Sequence, residues 1–553
     1  MSKKPPLLHL PIPTHDKGFY NGFSRAVTMT STMIIAIVVI WAVAYPEEAG
    51  RVLAAINGYI LSSFATWYIY VMGAFVVVCG ILALWPASGR LKLGLAGDTP
   101  EFSSFSWYSM MFGAGIGVGM LTWAVAEPSY NFNNNPDVLL GLASSGGADN
   151  ITNAFKWSFL HWGISAWATY AVAGLCLAYF TYRRGLPMTM RSSLVSLFGR
   201  HLSGPLGHAI DVFAVVATVF GVAQALGFGV NQLVDGLSRI GLGGYLTLAD
   251  GTPSAAGIIV AIVLIMGAST LSAVSGVGRG IKWLSNINMV LSFFVLAFLL
   301  VFGATTFGLT SLFQGLWVYI LDLPALLFTV YEGGTETGDA LVGWQGGWTV
   351  FYWAWWIAFA PFVGLFLARI SKGRTVREFV IGVVAVPSLI ACVWFSLAGG
   401  TAMHLEMTGE AAGAISGATD GGKIFAMMDV LIPSAFLSWL MAALIVVLLM
   451  TYLVTSADSA VLVVNTINAG GYEGPKARPH IIFWGVAVGG VVAALLLIGG
   501  IGAIQTAMVI GALPFSVVMA LMCVSLLKAV FNDTRRMANG VPSTVMPAEQ
   551  AAE

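Results

Sequence analysis

Long apolar stretches separated by short polar ones run along the chain from about residue 28 to residue 530. The hydrocarbon core of a bilayer takes about 20 apolar residues in helix, so runs of roughly 18 or more mark candidate spans. Twelve such runs lie near residues 28–46, 60–85, 107–130, 152–182, 206–236, 255–275, 284–306, 345–370, 379–401, 433–465, 480–500 and 504–530. A further apolar stretch, 308–330, is broken by Gln314, Asp322 and Pro324 and reads as an amphipathic helix on the membrane surface. The pattern predicts an all-α integral membrane protein with 12 transmembrane helices.

Composition agrees. Of 553 residues 58% are hydrophobic and 9% charged, against roughly 25% charged in an ordinary soluble domain. The 25 basic and 25 acidic residues cancel, which excludes a nucleic-acid binder, since that needs a basic surplus, and an acidic disordered chain. Cys79, Cys176, Cys392 and Cys523 sit inside apolar runs without metal or redox spacing and read as small buried hydrophobes. The first 25 residues are polar and Pro-bearing, unlike a cleaved secretory signal. With the N-terminus inside, all Lys and Arg except Arg51, Lys156, Arg239 and Lys423 fall on inner segments. That asymmetry predicts cytoplasmic termini. The outer loops 131–150, 307–344 and 402–432 are too short and too Gly- and Ala-rich to form a domain.

Three segments break the apolar pattern. The third span carries Gly113, Gly115, Gly117 and Gly119 in alternation, and each interior glycine costs a helix about 1 kcal/mol against alanine. Two readings are open: close helix packing through small residues, or an unwound stretch whose carbonyls face a midplane site. Glu127 and Pro128 follow and predict a helix end or kink there.

The fourth span holds Trp157, His161, Trp162, Trp167 and Tyr170, and the eighth holds Trp353, Trp355, Trp356, Phe359 and Phe362. At about 100° per residue, Trp162, Trp167 and Tyr170 share one side of a continuous helix, and Trp356, Phe359 and Phe362 share another. Such stripes suit packing. Two of them without an acidic residue among them also suit a cage for a methylated cation, held by ring faces. The tenth span reads Tyr452-Leu453-Val454-Thr455-Ser456-Ala457-Asp458-Ser459. Its hydroxyls either back-bond to their own helix or offer hard oxygen donors to an ion such as sodium. Asp458, an acid within a span, is either a structural acceptor or a functional group.

These segments, in this order, resemble the betaine/choline/carnitine transporter family over nearly the whole chain. The most specific match is Trp353-Ala354-Trp355-Trp356 followed by Pro361-Phe362-Val363-Gly364 and Ala368-Arg369-Ile370-Ser371-Lys372-Gly373-Arg374. The resemblance implies a cytoplasmic segment 1–27, two leading helices in 28–85, and inverted five-helix repeats at 107–306 and 345–530. An outer connection, 307–344, carries the amphipathic helix, and a short cytoplasmic tail is expected at 531–553. It also implies a homotrimer in a bacterial inner membrane that works by alternating access and is not an enzyme.

The family's aromatic box falls on Trp162, Trp167, Tyr170 and Trp356, with Phe359 where a further tryptophan is usual. Its main sodium site falls on the carbonyls of Gly113, Ile116 and Tyr452 and the hydroxyls of Thr455 and Ser456. A second site would fall on Thr218 and Phe362, but Val222 stands at its third position and brings no side-chain oxygen. Choline-selecting members carry an Asp where Gly119 stands, and sodium-independent exchangers carry an Arg near the main ion site, where spans 5 and 10 here have no Lys or Arg. The expectation is therefore sodium-coupled import of a small methylated zwitterion such as glycine betaine or dimethylsulfoniopropionate. Exchange of carnitine or betaine, or choline uptake, is the alternative.

Overall fold

The computed structural model describes residues 6–115, 117–275, 280–474, 477–541 and 543–544. Ile116, and Lys3, Lys4, Arg279 and Lys476 of the charge count, lie outside them. Among the described residues helices carry most of the chain, and extended segments pair only at isolated bridges such as Lys92 with Thr375.

Helices α1 (Arg25–Ala44) and α2 (Pro46–Leu84) come first. The third span is two helices, α3 (Ser104–Gly115) and α4 (Val118–Asn133), with Gly117 extended between them at φ −112°, ψ −174°. The glycine run therefore interrupts the helix. The fourth span is also broken, which the apolar pattern does not reveal. α5 (Ile151–Trp162) and α6 (Ile164–Ala178) meet at Gly163, whose ψ of −132° is not helical. A Cβ there would lie 2.5 Å from the Phe159 carbonyl oxygen and 3.1 Å from the Tyr319 hydroxyl.

Long helices follow: α7 (Pro205–Leu237), α8 (Ala255–Ser275), α9 (Gly280–Phe302) and α10 (Thr305–Leu326). The chain continues with α11 (Phe351–Arg369), α12 (Val376–Met407), α13 (Ala435–Asn468) and α14 (Arg478–Ala538). α14 contains both of the last two spans. Its 61 residues bend at Gly499 and at Gly500, which takes φ +62°, ψ −151°, a conformation open to glycine and essentially closed to other residues.

Among the described residues eleven helices are long and apolar enough to cross a membrane. The count differs from twelve for three physical reasons. The third span is split into pieces of 12 and 16 residues, the last two spans are joined through the bend, and α10, expected on the surface, is itself long and apolar enough to cross.

Of the two expectations for Pro128, a helix end or a kink, the end is excluded, since α4 runs on to Asn133. The helix tolerates it because α12 packs there without a side chain: a Cβ at Gly399 would lie 2.6 Å from both the Ala124 carbonyl oxygen and Pro128 Cγ. The carbonyl one turn before the proline is thus sealed by neighbouring backbone.

The interior is built around α5, α6, α7 and α11. An 18-residue stretch within Ala148–Arg183 is 94% buried and one within Glu336–Arg369 89%, against 22% for the corresponding stretches of α10 and of Leu284–Phe302 in α9. Small residues bring these helices together, as expected where apolar lipid gives little hydrophobic drive to association. A Cβ at Gly174 would lie 3.1 Å from the Gly364 carbonyl oxygen, and one at Gly221 would lie 2.9 Å from the Ala358 carbonyl carbon.

Candidate functional site

The Gly163 break ends α5 on Trp162 and starts α6 ahead of Trp167 and Tyr170. The N–H of Ile164, freed at the break, donates to the Tyr319 hydroxyl of α10 at 3.1 Å. Because the span is broken, angles counted along one helix do not apply to it. The rings converge nonetheless. Trp162 lies 5.0 Å from Trp356 with planes at 73°, and Trp356 lies 6.1 Å from Tyr170 at 78°. Tyr170 lies 5.5 Å from Trp167 at 84°, and 6.5 Å from Phe359. All five expected aromatics thus form one connected set, contributed by α5, α6 and α11. Each tryptophan and Tyr170 is buried.

Gly119, at the start of α4, faces the same rings. A Cβ there would lie 3.0 Å from Trp355 Cη2 and 3.1 Å from Trp162 Cη2. Trp355 stacks on Trp356 at 4.9 Å and 15°, and its Nε1–H is buried without a partner among the described residues.

Sequence reasoning missed what holds this set in place. Glu127 is fully buried in α4, and three groups converge on its carboxylate. Trp162 Nε1–H donates to Oε2 at 2.7 Å, the Tyr352 hydroxyl donates to Oε2 at 2.6 Å, and His161 Nδ1 lies 2.6 Å from Oε1. His161 Nε2 lies 3.1 Å from the Thr349 hydroxyl, and the His161 carbonyl accepts Trp356 Nε1–H at 2.8 Å. Tyr352 stacks on both His161 and Trp356. The signal was available: a Glu and a His inside apolar spans are functional candidates by default. What misled was proximity in sequence, since Glu127 beside Pro128 reads as a helix end. The expectation that no acid stands among the aromatic faces holds within each helix and fails across helices.

The expected ion site is seen from one side. Gly113 belongs to the last turn of α3, and Ile116 lies outside the described residues. On α13 the Thr455 hydroxyl donates to the carbonyls of Thr451 at 2.9 Å and Tyr452 at 3.1 Å, and accepts Asn288 Nδ2–H of α9 at 3.2 Å. Tyr452's own hydroxyl is 2.6 Å from that of Ser292. Leu453 and Val118 of α4 both crowd the place of a Cβ at Gly229, so this side of α13 faces α4 and α7, and Ser456 lies one turn further along it. The Tyr452 carbonyl and Thr455 hydroxyl oxygens are thus joined at 3.1 Å by a hydrogen bond within α13, the back-bonding common for hydroxyls in membrane helices.

Of the second expected ion site, the buried Thr218 hydroxyl donates to the Ala214 carbonyl at 2.7 Å. Thr218 is one turn before Gly221, which packs on the α11 backbone at Ala358, and Phe362 is one turn beyond Ala358. Val222 is buried beside them and adds no oxygen. Asp458 is fully buried, accepts the Ser272 hydroxyl of α8 at 2.7 Å and the Ser459 hydroxyl at 3.1 Å, and so bridges two helices.

Residues 26–535 match the model of the betaine/carnitine/choline family of transporters. The chain is 36% identical to a glycine betaine transporter of Bacillus subtilis, over 91% of this chain and 94% of that one. It is 35% identical to a glycine betaine transporter of Acinetobacter baylyi, over 95% of this chain and 76% of that one. It is 36% identical to a glycine betaine/proline/choline transporter of Vibrio parahaemolyticus, over 92% and 91% of the two chains.

Proposed function

Because this chain belongs to the betaine/carnitine/choline family of transporters, and is a multi-pass membrane transporter and not an enzyme, we propose that it imports a small methylated onium zwitterion by alternating access, coupled to sodium. The observation that carries this reading is the connected set Trp162–Trp356–Tyr170–Trp167, with Phe359 beside Tyr170. A methylated onium head spreads its charge over its methyl groups and hydrogen-bonds poorly. Ring faces therefore attract it, by about 0.5–2 kcal/mol per ring. The anionic end of a zwitterion needs donors, and the unpartnered, buried Trp355 Nε1–H beside the cage supplies one. The glycine betaine substrates in the names of relatives favour the same class.

Sodium, in this reading, would be held by the carbonyls of Gly113, Ile116 and Tyr452 with the Thr455 and Ser456 hydroxyls. It would stabilise the interrupted third span in the shape that presents Gly119 and Glu127 to the cage. Binding of ion and substrate to one conformation makes each raise the affinity for the other. The cytoplasmic end would be the one that gathers Arg183, Arg184, Arg369 and Arg374, in an inner membrane, with the chain assembled as a homotrimer.

The test is uptake of labelled glycine betaine into proteoliposomes under an inward sodium gradient and then with potassium in its place. Sodium-dependent accumulation is expected. Uptake indifferent to sodium but dependent on substrate inside would make the protein an exchanger. Trp356→Leu is expected to raise the half-saturation constant at least tenfold at unchanged expression, and Thr455→Ala with Ser456→Ala to raise the sodium concentration needed for half-maximal uptake.

A further inference from the structure

The cage has a carboxylate behind it. Glu127 reaches the cage through Trp162, whose Nε1–H points at its Oε2 at 2.7 Å. An indole N–H can only donate, and Tyr352 donates to the same oxygen, so Oε2 is an acceptor twice over. Among the described residues the single ion-pairing partner of Glu127 is His161. His161 Nδ1 lies against Glu127 Oε1 and its Nε2 against the Thr349 hydroxyl, so both ring nitrogens and both carboxylate oxygens have partners.

We propose that Glu127 is a positioning residue of the aromatic cage and also its counter-charge: it fixes the Trp162 plane and, through the hydrogen-bonded indole, makes that ring face more negative toward an onium ion. The proposal rests on the functional reading above and deepens it. Cation–π attraction is electrostatic, and in a dry, low-dielectric interior a charge one indole away is weakly screened. Geometry adds to this. Through His161, whose carbonyl holds Trp356 Nε1–H at 2.8 Å, the same carboxylate fixes the facing wall. A cage so arranged selects by head-group charge as well as by shape, which a purely apolar cage does not.

The experiment compares wild type, Glu127→Gln and Glu127→Asp in proteoliposomes. The readouts are the half-saturation constant for labelled glycine betaine and the inhibition constant of 3,3-dimethylbutanoate, in which carbon replaces the onium nitrogen. In Glu127→Gln the betaine constant should rise about tenfold while the dimethylbutanoate constant stays within about twofold, so discrimination between the two falls. Glu127→Asp, which keeps the charge one methylene further back, should fall between. Should Glu127→Gln fail to fold, Glu127→Asp decides by the same ratio. An unchanged betaine constant, or an equal loss for both compounds, overturns the proposal. A wild type that accumulates no onium compound overturns the functional reading itself, so the two failures are distinct.

Discussion

At the scale of single residues, the proposed cage makes different demands of Phe359 and of Gly119. Phe359 has a ring at 6.5 Å from Tyr170, and phenylalanine is a weaker cation partner than tryptophan. Phe359→Trp is therefore expected to lower the half-saturation constant for an onium substrate about threefold, read in uptake kinetics. The same residue is in contact with Phe362 at 5.0 Å, so the larger indole must find its room on the open side. Gly119 is the opposite case, chosen for what it lacks. Its neighbours Trp162 and Trp355 stand where any side chain would press on them. Sequence comparison within the family reads this glycine as a missing counter-charge, whereas the fold shows that another carboxylate, Glu127, stands behind Trp162.

At the scale of elements, two helix breaks make the site. A helix keeps its amides paired within itself, and a break in an apolar setting needs outside partners. At Gly163 the Tyr319 hydroxyl of α10 is that partner, and the bare glycine lets Phe159's carbonyl and Tyr319 approach. Gly163→Ala would place a methyl 2.5 Å from that carbonyl oxygen, and such overpacking costs about 1–3 kcal/mol. A lower melting temperature in detergent, with Trp162 turned away from Trp167 and therefore weaker substrate protection, is expected. The four alternating glycines of the third span announced their break in the sequence. Gly163 did not, because a lone glycine in an apolar run looks the same whether the helix continues or stops.

At the scale of the whole molecule, one end is tied by buried charge. Asp533 near the end of α14 accepts the Tyr179 hydroxyl at 2.6 Å, Arg184 at 3.1 Å and Arg536 at 2.8 Å, with Arg183 at 3.7 Å. Nearby, Arg374 lies 3.9 Å over the Trp107 ring and pairs with Glu378, while Trp107 Nε1–H donates to Ser371 at 2.9 Å. Ser371 and Arg374 of the family motif thus clamp α3 to the start of α12. Removing one partner of a buried pair leaves the other charge uncompensated, at about 3–5 kcal/mol. Asp533→Asn is accordingly expected to lower the melting temperature by several degrees, measured by unfolding in detergent, while the half-saturation constant of the surviving folded protein stays unchanged.

The sequence by itself determined the class, the approximate spans and the five aromatics, because burial in lipid demands long apolar helices and ring-bearing residues stand out within them. Trp162, Trp167, Tyr170, Trp356 and Phe359 were each legible by type and family spacing. Only the tertiary structure decided how they are held. Glu127 and His161 are 34 residues apart and Tyr352 is 225 from Glu127, so no periodicity within one helix could join them. The division of spans was likewise decided in three dimensions, since a glycine either packs or bends according to what its neighbours place against it. Periodicity reads one helix at a time, whereas a site in a bundle is assembled from side chains that meet only after the helices pack.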